Sequence, residues 1–162
     1  MTIDFMKRQR GVSLVEVLVA ILVIGIGMLG VMGLQGRALQ HSQQSYLHGQ
    51  AMLLANDMAD RIRLNRGVAS RYRLEVGDPL PSVADNQCIA NACTVSQLAD
   101  WDMRVWRQSL LNALPQGEAE IKEDVADEQY TIIVRYVDEV KANDNNHNDQ
   151  AGKSIVQITI QI

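Results

Sequence analysis

Glu16 is the lone ionisable side chain between Val12 and Leu34, and it stands five residues after Gly11, which three basic residues precede, Lys7, Arg8 and Arg10. A carboxylate inside an apolar run is costly, so Glu16 either has a partner there or lies at the membrane surface. The chain's two cysteines, Cys88 and Cys93, have four residues between them. A metal site on them would need two further ligands, and no nearby His offers them. Redox catalysis would favour C-x-x-C. His41, His48 and His147 are far in sequence from any plausible nucleophile, and no glycine-rich phosphate loop follows a strand. No catalytic constellation emerges, so no enzyme and no cofactor is expected. The stretch Asp144-x-Asn146-x-Asn148 begins like a calcium loop, but Asp149 replaces the glycine and Ile155 the bidentate glutamate that such a loop needs. No metal is expected.

The element that carries Glu16 explains much of the chain. Val17 to Leu34 is eighteen residues without a charge. As a helix, Val12 to Leu34 would rise roughly 34 Å, enough to cross a hydrocarbon core of about 30 Å. A buried helix of a soluble protein is the alternative, and the remaining chain is too small to surround it. The basic residues ahead of the run put the N-terminus in the cytoplasm and the rest of the chain outside it. An ordinary secretory signal has a shorter apolar region of about 7–15 residues ending in an A-x-A-like site. This stretch runs on through GLQGRALQ without one, so the segment is expected to be kept. Gly27, Gly30, Gly33 and Gly36 recur every three residues. They allow close helix approach, and they also weaken the helix by about 1 kcal/mol each relative to Ala.

The run KRQRGVSLVE, followed by VLVAILVIG, resembles the class III signal of type IV pilins and pseudopilins. Val12 stands where Phe is usual. The resemblance implies that a prepilin peptidase cuts between Gly11 and Val12, that the new Val12 amine is methylated, and that Glu16, fifth in the mature chain, serves subunit assembly. The physical logic agrees. The freed amine lies at the bilayer surface with Glu16 as the opposite charge nearby, and an unpaired charge in apolar surroundings costs several kcal/mol. Pairing Glu16 with the amine of a neighbouring subunit would reward packing in one register.

Beyond Leu34 the pattern turns amphipathic. Leu47, Ala51, Leu54, Met58 and Ile62 mark one helical face. The reading is one helix from about Val12 to Asn65, roughly 80 Å long, ending near Gly67. Arg61, Arg63, Arg66, Arg71 and Arg73 could hold phosphate or DNA; the preferred reading is that they cap the helix C-terminus. His41 and His48 read as solvated surface. Residues 75–91 read as an irregular loop closed by the cysteines, which in an exported chain are expected to form a disulfide. Thr94-Val95-Ser96-Gln97 matches a capping box and opens a helix to about Leu114, stopped by Pro115 and Gly117. Met103, Trp106, Leu110 and Leu114 share its apolar face, with Leu98, Trp101 and Val105 beside it. Three strands follow, at about 118–125, 129–140 and 154–162, the latter two alternating.

CTVSQLADWDMRVWRQSLLNALPQG is similar to the Cys-helix-Trp-LPxG region of PilV-type minor pilins. The expected fold is α+β and pilin-like: a long N-terminal helix packed against a small C-terminal antiparallel sheet. Residues 1–11 read as leader, 12–34 as membrane and assembly helix, and 35–162 as the exported domain. Residues 35–73 carry six arginines against two aspartates, whereas 74–162 carry six basic and fifteen acidic residues. That balance does not suggest a nucleic-acid domain. The resemblance implies a minor pilin of the inner membrane and then the fibre, involved in initiating and assembling the pilus. Its partners would be the prepilin peptidase, other minor pilins, the major pilin and membrane lipid. A type II secretion pseudopilin and a pilus-borne adhesin or DNA receptor are the alternatives.

Overall fold

The computed structural model describes residues 11, 13–79, 81–82, 87–90, 92–138 and 152–162. Helix α1 spans Leu14–Leu64, followed by a 3-10 helix over Arg66–Tyr72, a one-turn helix α2 at Gln87–Ala90 and helix α3 at Val95–Ala113. Strands β1 (Glu118–Asp124), β2 (Gln129–Val137) and β3 (Lys153–Gln161) form an antiparallel sheet in the order β1-β2-β3. The chain divides into two compact units between His41 and Ser42.

In the first unit α1 runs unbroken through Gly25, Gly27, Gly30, Gly33 and Gly36. The weakening those glycines bring opens no break in the helix. A Cβ at any of them would meet nothing within 4 Å, so packing within the chain does not require them.

The second unit holds the core. Ala51, Ala55, Met58, Ala59 and Ile62 of α1 are buried in one cluster with Met103, Trp106 and Leu110 of α3 and Ile121, Ile132, Val134 and Val156 of the sheet. The alanines Ala55 and Ala59 widen the face read from sequence, while Leu47 and Leu54 are only partly buried at its margin. Small residues leave the helix backbone open to large side chains. Trp106 reaches it, its indole N–H donating to the Leu54 carbonyl at 2.8 Å.

α3 begins as its sequence demands. The Thr94 hydroxyl accepts the Gln97 N–H at 3.3 Å, and the Gln97 side chain accepts the Thr94 N–H at 3.0 Å. At its far end Gly117 lies so close that a Cβ there would come within 2.5 Å of the Leu110 side chain. Along β2, Tyr130, Ile132, Val134 and Tyr136 all face the core, as the alternation predicts. β1 ends at Asp124, one residue before the expected Val125, because the hairpin turn begins there. β2 ends at Val137, with Asp138 already outside the strand, and residues 139–140 of its expected span lie outside the described residues. Leu74 adds an isolated antiparallel bridge to Ile121.

Candidate functional site

Gly11 is exposed and precedes the helix. Among the described residues a Cβ there meets nothing within 4 Å, so the fold itself does not call for a glycine at this position. Val12 lies outside the described residues. The Ser13 carbonyl accepts the N–H groups of Glu16 (3.0 Å) and Val17 (3.3 Å), opening the first turn of α1. Glu16 is an exposed acid within that turn, where the unpaired amides of a helix start favour a negative charge. Leu18, Val19, Ile21, Leu22, Val23 and Ile24 are each more than half exposed. Near-consecutive positions cover the whole circumference of a helix. A helix apolar on every side needs lipid or other helices around it. The window of α1 that is long and apolar enough to cross a membrane is 0% buried within the chain.

Cys88 and Cys93 are joined in a disulfide with their Cα atoms 5.4 Å apart. The bridge pins the α2 turn beside the start of α3, where the Cys88 sulfur lies 3.9 Å from the Gln97 carbonyl oxygen.

The arginine cluster takes a role beyond the one its position suggests. The end of α1 is closed by backbone, with the Asn65 N–H bonding the carbonyls of Arg61 and Ile62 and the Val68 N–H that of Asn65. Four of the five guanidinium groups pair with carboxylates. Arg61 bonds Asp57 at 3.0 Å and Asp102 at 2.6 Å. Arg63 pairs with Asp60, Arg71 forks onto both oxygens of Asp100, and Arg73 reaches Glu75. Arg61 and Arg63 lie in the last turn of α1, where the capping reading puts them, and the ion pairs add a clamp between α1, the 3-10 helix and α3.

Asp102 is its centre and escaped the sequence reading. It is 6% exposed and accepts the Tyr72 hydroxyl at 2.8 Å as well as Arg61. Asn65 donates to the Tyr72 oxygen at 3.1 Å and to the Val95 carbonyl at 2.9 Å. Burial pushes the Tyr72 phenol well above its ordinary range; the Asn65 hydrogen bond opposes this and Asp102 adds to it. One signal was available. Asp102 lies three residues after Ala99 and four before Trp106, on the buried stripe of α3, where a charged side chain needs partners. A second buried carboxylate, Asp138, accepts from Gln44 of α1 at 2.7 Å and from Ser154 of β3 at 3.1 Å.

His41 and His48 are exposed on α1. Of the two tryptophans, Trp106 is core and Trp101 is half-buried. The calcium-like run from Asp144 to Asp149 lies outside the described residues, and Ile155 is an exposed residue of β3. Among the described residues no group of three or more His, Cys, Asp or Glu could hold a metal ion.

The long N-terminal helix with a small C-terminal three-stranded antiparallel sheet is an α+β pilin fold. The family described as type IV pilin Tt1218 matches residues 33–104, and the prokaryotic N-terminal methylation motif matches residues 6–32. No curated protein and no solved structure matches the chain. The fold and the two family matches support a type IV pilin. That family is structural rather than catalytic, and its methylation motif implies processing by a prepilin peptidase and assembly with other pilins. The motif and the apolar helix fit a pilin anchored in the inner membrane.

Proposed function

We propose that this chain is a minor pilin, of the PilV type, that helps initiate and assemble the type IV pilus and is retained at the fibre tip. The observation that carries the reading is the methylation motif over residues 6–32, with Gly11 and Glu16 in place ahead of an exposed apolar helix. In this reading the peptidase cuts between Gly11 and Val12, removing the leader 1–11, and the Val12 amine is methylated. Residues 12–34 then span the inner membrane once from a cytoplasmic N-terminus. The domain from residue 35 onward faces the periplasm and later joins the fibre at the cell surface. Glu16 offsets the charge of a neighbour's amine, so subunits associate in one register.

Co-purification from native membranes tests the assignment. Recovery with major and minor pilins of the pilus supports it, and recovery with secretion-system components assigns the chain to the pseudopilins instead. Gly11→Leu should leave an uncut precursor by intact mass, and a mature mass in that variant refutes the cleavage position.

A further inference from the structure

The two edges of the sheet are built differently. At the β1 edge five of seven residues are charged, Glu118, Glu120, Lys122, Glu123 and Asp124. Leu74 also lies across that strand, exchanging both backbone bonds with Ile121 at 2.8 and 3.1 Å. Charged side chains and a covering segment are usual means of keeping an edge from pairing with another chain. The β3 edge has neither. Lys153 opens the strand, and no ionisable side chain, proline or glycine follows through Ile162. Its pairing with β2 runs without a bulge from Lys153 to Gln161.

The hydrogen bonds fix which backbone groups are left over. The Asp138 N–H donates to the Gly152 carbonyl at 2.8 Å, and the Ile162 N–H to the Glu128 carbonyl at 3.2 Å. Both bonds lie on the register in which Tyr136 faces Ser154 and Tyr130 faces Ile160. Opposed residues of an antiparallel pair alternate between bonded and unbonded. Ser154, Val156, Ile158 and Ile160 therefore bond β2, and the N–H and C=O groups of Ile155, Gln157, Thr159 and Gln161 point away from it. Among the described residues no backbone group bonds them. Their side chains are exposed, and on the core side Ile158 and Ile162 are only partly buried. Apolar surface thus lies beside the free backbone row. Donors and acceptors alternating at strand spacing match an extended strand and no helix.

We infer that the β3 edge receives an extended strand of a different pilin subunit, uncharged along the paired stretch, with β-branched side chains beside Ile158 and Ile162 and polar ones beside Gln157 and Thr159. The inference rests on the reading of the chain as an assembling pilin and adds the edge by which one partner is held. A charged strand here would lose water without gaining a counter-charge. A second copy of this chain cannot continue the sheet head to tail, because its β1 edge is charged and bridged by Leu74. Two β3 edges pairing with each other would make a symmetric contact that closes on itself and passes nothing on to further subunits.

Photo-crosslinking of the full-length chain in native membranes tests it, with the probe p-benzoylphenylalanine placed at Ile155 or Thr159 and, as control, at Lys122 of β1. The expected result is an adduct from both β3 positions that maps by mass spectrometry to an uncharged extended segment of a different pilin, and none from Lys122. Gln157→Pro removes one outward N–H and leaves the bonds to β2 in place. It should cut the adduct at least tenfold, while Gln157→Ala keeps both the N–H and the adduct. Residue-level hydrogen exchange reads the same bonds without a substitution. The amides of Ile155, Gln157 and Thr159 should slow at least tenfold in the wild-type assembly relative to the chain purified alone in detergent, with those of Val156 and Ile158 slow in both. Recovery of pilins with the chain but no β3 adduct or no slowing, an adduct in a helix, or an adduct in β3 of a second copy overturns the inference and leaves the pilin reading standing. Absence of any pilin among both adducts and co-purified proteins overturns the two together.

Discussion

Replacing Asp102 by Ala should be among the most damaging single changes in the second compact unit, Ser42–Ile162. The carboxylate is 6% exposed and serves two donors, Arg61 at 2.6 Å and the Tyr72 hydroxyl at 2.8 Å. Removing it leaves the fully buried Tyr72 hydroxyl without an acceptor, a loss of about 1–2 kcal/mol. Arg61 loses its buried partner as well. Breaking a fully buried pair costs about 3–5 kcal/mol, but Arg61 keeps Asp57 and its side chain is 25% exposed. Its share is reduced by solvent and the remaining partner to about 1–2 kcal/mol. The total is about 3 kcal/mol, and at about 4 °C per kcal/mol for a domain of this size the melting temperature should fall by roughly 12 °C. Near-UV circular dichroism of the full chain in detergent reads the transition. Asp102→Asn retains one acceptor oxygen and should lose about half as much. Adding Tyr72→Phe to Asp102→Ala should recover about 1 kcal/mol, because it removes the orphaned donor while Asn65 still bonds Val95. An Asp102→Ala protein within about 0.5 kcal/mol of wild type would show that solvent already satisfies the network and would refute the reasoning.

Acid should expose a second ion pair. Arg135, and then Lys122, hold the Glu120 carboxyl below its ordinary 4.5, so its contribution is complete above that value and disappears as pH falls through the lower folded value. The stability advantage of wild type over Glu120→Gln, measured by denaturant titration from pH 7 to 3, should therefore be constant at neutral pH and vanish in acid; an advantage that grows on acidification contradicts the assignment. Alkylation without reductant should label neither Cys88 nor Cys93, and reduction should lower stability by about 2 kcal/mol, as expected for so short a loop, without dissolving the core; full labelling of the native protein would refute the bond. Glu16→Ala should leave membrane insertion and cleavage intact while weakening co-purification with other pilins and reducing surface fibres, and wild-type piliation in that strain would show the pairing to be dispensable here.

Periodicity made the helices and strands legible. The helix read as ending at Asn65 ends at Leu64, α3 starts at the capping box named from Thr94 and Gln97, and the inward row of β2 is the one its alternation marks. These features are local, since a cap or an apolar stripe is set by residues within one or two turns of each other. The partners of the arginine cluster were not legible, for the converse reason. Its charges were legible, but the carboxylate facing Arg61 comes from a residue forty-one positions away, and Asp100 faces Arg71 across twenty-nine. Seen along the chain alone, a cation near a helix end has its nearest evident partner in that helix's dipole.

The same boundary divides the protein as a whole. The sequence by itself determined the leader-like basic run, the glycine and glutamate at fixed spacing, the apolar segment and the order of elements, because each depends on residue type and near-neighbour spacing. Only the tertiary structure decided that Ala55 and Ala59 belong to the core face of α1, and that Asp102 gathers Arg61, Tyr72 and the end of α1 around one buried charge. Close packing and the desolvation of a carboxylate depend on what lies opposite in space, and distance along the chain does not specify that.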